Sequence, residues 1–183
     1  MGLLDEKKRN NIASYVISMW HIEDLMRANQ FDLRKLEEQL IAPMEADEEA
    51  RAEVRTWYAG IVERMKEQGL EKRGHLSEVE EVMNELEFLH RTLVEVLNDE
   101  TYDALYAAAT PGIASLQQQA GEEDAEGPVA TCFTAIYGVM VLRAQGRTVS
   151  DSTAEAEGHM RKLLELLGQH YKQMRKLPGV SMN

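Results

Sequence analysis

Residues 76–98, LSEVEEVMNELEFLHRTLVEVLN, decide the fold class. At roughly 100° of rotation per residue, Val79, Met83, Leu86, Leu93 and Leu97 collect into one apolar seam, while Glu81 and Glu85 fall on the opposite side. Ser77 followed by Glu80 reads as a capping box at the start of this helix. A strand would need sustained apolar alternation with β-branched enrichment, and no stretch of the chain has it.

Moving toward the N-terminus, residues 47–69 carry Val54, Trp57, Tyr58, Ile61 and Met65 at helical spacing behind a candidate cap, Asp47. Asp32 is a second candidate cap, with Phe31 and Leu36 as a hydrophobic staple opening a short helix that Pro43 ends. In the other direction, two short helices are expected around 100–109 and 111–120, the second opened by Thr110 and Pro111. GEEDAEGP at 121–128 reads as a turn-rich acidic loop and the most mobile segment. Beyond it lies the most apolar helix, VATCFTAIYGVMVL, in which Gly138 would admit a closely crossing neighbour. Ser150 then caps a last long helix, with a fraying KLPGVSMN tail. The expectation is an all-α, single-domain bundle over 1–175, with five long and three short helices and a tail at 176–183.

Composition narrows the function. A formal charge of -12 on 183 residues disfavours nucleic acid and anionic membrane surfaces as partners. The apolar run at 129–142 is shorter than the roughly 20 residues that span a bilayer. The opening MGLLDEKKRN lacks the apolar core of a secretory signal, and Glu6 stands where a myristoylation pattern wants Ser or Thr. Cys132 is the one cysteine, so it has no intrachain disulfide partner. A buried thiol in a reducing cytoplasm is the expected state.

One polar constellation stands out. On the helix NIASYVISMWHIEDLMRA, Glu23 shares a face with Ile12, Val16, Met19 and Met26, and His90 falls within about 20° of Val79 on its own seam. Both polar side chains point inward and need partners. Arg27, one turn beyond Glu23, is one candidate. Arg143, on the same side as Ile136 and Met140, is another. The four residues Glu23, Arg27, His90 and Arg143 form either a satisfied ion-pair network or a small pocket. In the pocket reading, His90 or Glu23 is a base and the arginines grip an anionic ligand.

Other signals are weaker. Glu87-Phe88-Leu89-His90 has the Glu-x-x-His spacing of one quarter of a dimetal site in a four-helix bundle, but His21, His75, His159 and His170 supply no matching set. No metal and no cofactor are expected. The run Glu78, Glu80, Glu81, Glu85 resembles the carboxylate rows of all-helical nucleotide pyrophosphatases, yet Glu81 and Glu85 point away from the seam. No nucleophile elbow, phosphate loop or paired CxxC is present.

The segments NIASYVISMWHIEDLMRA, GHL at 74–76, FLH at 88–90, CFTAIYGVMVLRAQGRTVS and LLELLGQHYK, in this order, resemble a bacterial family known only as domain of unknown function 4924. The resemblance implies a small intracellular all-helical protein and supplies no activity, ligand or catalytic residue. It draws attention to Trp20, Glu23, Asp24, Arg27, His90, Tyr137, Gly138 and Arg143. Phe88 projects opposite the seam of its helix, so a second surface should cover it. The expected function is a non-catalytic interaction module, with a homodimer able to provide that cover. The alternative is an enzyme or binding protein for an anionic small molecule, using the Glu/Arg/His pocket.

Overall fold

Helical periodicity becomes helix throughout, and the fold is all-α. A computed structural model describes residues 2–121 and 126–176, and among these it contains eight α-helices and no strand. They are α1 (Gly2–Asn10), α2 (Ile12–Ala28), α3 (Leu33–Leu36), α4 (Glu48–Glu67), α5 (Ser77–Arg91), α6 (Glu100–Ala120), α7 (Pro128–Ala144) and α8 (Asp151–Met174). Single π-helical turns, Glu37–Ile41 and Thr92–Leu97, extend α3 and α5. No helix among the described residues is long and apolar enough to cross a membrane. The central part of the acidic loop (122–125) and nearly all of the expected tail (177–183) lie outside the described residues.

The chain gathers into two units, one made of residues up to 8 together with 14–81, the other of 9–13 together with 82 onward. In the first unit, α2 contributes Val16, Met19 and Met26 to the core, α4 contributes Ile61, Val62 and Met65, and Leu36, Ile41, Leu76 and Val79 complete it. Asp32 and Asp47 cap α3 and α4 as expected, accepting from the Arg34 and Ala50 backbone N–H groups. The π turn after α3 is closed by Ala42 N–H donating to Glu37 O at 2.8 Å. Its slower rotation brings Ile41 back to the side of Leu36, so both are buried.

In the second unit α6, α7 and α8 pack together. Tyr102, Ala109 and Ile113 on α6, Cys132, Phe133, Ile136 and Val139 on α7, and Met160, Leu163, Leu164, Leu167 and Tyr171 on α8 fill its centre. Ser150 caps α8 through the Thr153 N–H. Gly112 permits the close approach of α6 to α8, because a Cβ there would stand 3.1 Å from the Ala156 Cβ.

Three expectations change. The two short helices around Pro111 are one, α6, capped by Asp99 through the Tyr102 N–H, and Thr110 instead donates its hydroxyl to Tyr106 O. The proline φ is compatible with a helix, and the continuous buried face from Tyr102 to Ile113 carries the helix through it. The eighth helix is then α1, in a stretch to which the periodicity assigns no helix. Leu97, placed on the α5 seam, is 63% exposed. The π turn adds a residue between Leu93 O and its donor, Asn98 N–H, and so rotates Leu97 away from the core. Gly138 meets nothing within 4 Å along its Cβ direction. Rather than admitting a crossing helix, it lines an open cleft of about 490 Å³ among α6, α7 and α8.

Candidate functional site

In the first unit Glu23 is fully buried, and both its carboxylate oxygens are engaged by the segment leading into α5. The Leu76 N–H donates to Oε1 at 2.9 Å, and His75 Nδ1 lies 2.5 Å from Oε2. The His75 ring stacks on Trp20, with centroids 4.4 Å apart and planes 7° from parallel. One turn separates the two α2 positions, so the indole and the carboxylate hold the imidazole by its face and by its nitrogen.

Arg27 does not take the role of counter-ion to Glu23. Its guanidinium donates to Leu70 O at 3.1 Å, to Gly74 O, and to Asp24 at 3.0 Å. Those two carbonyls belong to the connection whose turns are made at Gly69 and Gly74, with φ of 69° and 91°, the left-handed region that glycine enters without a Cβ penalty. Glu23 and Arg27 therefore serve the same segment, residues 70–76, one by accepting and the other by donating.

In the second unit His90 is buried, with Nδ1 2.8 Å from the Tyr102 hydroxyl and the Tyr106 ring edge-on at 4.6 Å. Burial holds its pKa below the ordinary histidine value and pushes that of Tyr102 upward. This is a closed cluster of two neutral groups. Cys132 is a free, buried thiol whose pKa burial pushes up to about 12, so it is a poor nucleophile. Glu87, the other half of the Glu-x-x-His pattern, accepts from the Val129 N–H at 3.1 Å and caps the N-terminus of α7 from another helix. The N-cap residue itself, Gly127, has no side chain to do so, and a Cβ on it would stand 2.7 Å from the Glu87 carboxylate. Burial raises the Glu87 pKa, opposed by the α7 N–H groups.

Arg143 lies 3.7 Å from Glu157, a nearly buried carboxylate that Arg161 also bonds. A carboxylate between two guanidinium groups, expected around Glu23, is formed on α8 instead. The four sequence candidates thus fall into three separate arrangements: Glu23 and Arg27 around residues 70–76, His90 with Tyr102, and Arg143 with Glu157. Sequence reasoning missed His75, Glu87 and Glu157 as partners. The GHL triplet at 74–76 and Trp20 carried the signal for the first, and Gly127-Pro128 ahead of an apolar helix with no capping side chain carried it for the second.

Among the described residues, no group of three or more His, Cys, Asp or Glu is placed to hold a metal ion. No curated protein and no solved structure is significantly similar to the chain. The family carried by the Trp20–Arg27 and GHL segments matches almost end to end: its sequence profile covers residues 1–177, and the chain belongs to the DUF4924 family, a domain of unknown function.

Proposed function

We propose that this protein is an interaction module that docks a helical protein surface, a second copy of the chain in the simplest case, on the C-terminal part of α5 and its π turn. The observation that supports this is three large apolar side chains facing water on one stretch of helix: Phe88 is 62% exposed, Val96 69% and Leu97 63%. A π turn keeps Phe88 and Val96 on nearly the same side of the helix and adds Leu97 beside them. Several large apolar groups exposed along one helix are a candidate association face. Arg91 and Glu95 are exposed on the same stretch, so two antiparallel copies could set each arginine against a glutamate of the other. A free, buried Cys132 fits a reducing compartment, which supports a cytoplasmic setting.

The rival pocket reading required solvent access to both Glu23 and His90, which are 0% and 3% exposed. Sedimentation equilibrium tests the proposal: the wild type should associate at micromolar concentration and Phe88→Ser with Leu97→Ser should sediment as a monomer. A wild type that is monomeric throughout that range would overturn the second-copy reading.

A further inference from the structure

We propose that His75 is an activated imidazole, a nucleophile and proton acceptor toward small acyl donors such as activated esters, with Glu23 as its positioning residue. The proposal is independent of the α5 docking face and rests on the juxtaposition of Glu23, His75 and Trp20. A carboxylate bound to Nδ1 selects the tautomer that carries its proton there, which leaves the Nε2 lone pair free. The carboxylate is fully buried, whereas the His75 side chain is 32% exposed. Nδ1 faces the buried acid and one ring face lies on Trp20, so the exposed surface of the side chain belongs to the other ring face and the edge that carries Nε2. Among the described residues no hydrogen bond to Nε2 is formed. The other histidines lack this combination: His90 is closed in by tyrosines, and His159 and His170 meet their carboxylates through Nε2 itself.

The step balances without a further reagent. Nε2 forms a C–N bond to the acyl carbon, the C–O bond to the leaving group breaks with its electron pair on oxygen, and the alkoxide takes a proton from water. The ring becomes cationic, and Glu23 stabilises the Nδ1 proton. Water then cleaves the acyl imidazole, so the net change is ester plus water to acid plus alcohol.

The probe is diethyl pyrocarbonate, with the rate of modification at each histidine read by peptide mass spectrometry on the full-length protein. Exposure alone ranks His21 first, because His21 is exposed and His75 half-buried. Activation by the carboxylate ranks His75 first, with a modification rate several-fold above that of His21. Long-range ¹⁵N spectra of the wild type should show His75 with its proton on Nδ1. In Glu23→Gln the His75 rate should fall to that of His21 or below, and in Trp20→Phe, which keeps an aromatic face, it should persist. A wild type in which His21 reacts before His75, or in which His75 carries its proton on Nε2, overturns the proposal, and neither result depends on a variant that folds.

Discussion

Two buried glutamates, one in each unit, are held in different ways. Glu157 on α8 lies between Arg143 and Arg161, side chains that are themselves about half exposed, at 51% and 49%. Glu23 on α2 has a backbone N–H and an imidazole for partners, and the backbone donor belongs to Leu76, which is wholly buried. Arginines half in water recover hydration when their carboxylate is lost. A buried amide does not. The consequence of removing a buried acid is therefore set by what its partners can do without it, more than by how deeply the acid itself lies.

That contrast orders the expected effects of substitution. Glu23→Leu leaves the Leu76 N–H unsatisfied and frees the segment that begins α5, and it should lower unfolding stability by about 2 kcal/mol in urea titrations. A value under about 0.5 kcal/mol would mean that water or another acceptor reaches that amide.

Gly127→Ala comes next, since its Cβ would push the Glu87 carboxylate off the α7 N-terminus, and losing a cap costs about 1 kcal/mol. The same change made in Glu87→Ala should cost only a few tenths. Equal costs in both backgrounds would show that Gly127 and Glu87 are not coupled.

Glu157→Gln should be milder, about 0.5 kcal/mol, because its partners are largely hydrated and exposed ion pairs contribute little. A loss larger than that of Glu23→Leu would reverse the comparison.

The smallest effect is a pH dependence at His90. Its folded pKa lies below the ordinary 6.5, with burial as the chief cause. Between the two values the unfolded chain binds more protons, so stability rises with pH through that window. The contribution is complete above about pH 6.5 and is lost as the pH falls to the folded value. Relative to wild type, His90→Gln should flatten the stability profile just below pH 6.5, as read by thermal unfolding at a series of pH values. An unchanged slope would show that His90 is free to protonate in the native state.

The helices were legible because amphipathic spacing and caps are local: Asp32, Asp47 and Ser150 act within a few residues of themselves. What escaped was non-local or depended on rotation. The π turn at Thr92–Leu97 shifts the angular register, so arithmetic at 100° per residue put Leu97 in the core. Pro111 read as a boundary, but a buried face running through it made one helix. For the polar residues the sequence could show that Glu23 faces inward, yet not that its partner lies 52 residues away in a glycine-turned connection. Arg27 was the nearest cation along the helix, and its donors instead meet two carbonyls of that same connection. Of the two arginine partners of Glu157, Arg161 stands four residues on along α8 and was legible, whereas Arg143 reaches it from α7.

Glu23 and His75 bond directly through Oε2 and Nδ1, and a double-mutant cycle measures that pairing. Glu23→Leu, His75→Phe and the double variant are compared by urea unfolding, phenylalanine being chosen to keep the stack on Trp20. The structure predicts a coupling energy of at least about 1 kcal/mol, as for directly bonded neighbours. Additivity within about 0.5 kcal/mol, the behaviour of independent sites, would contradict it.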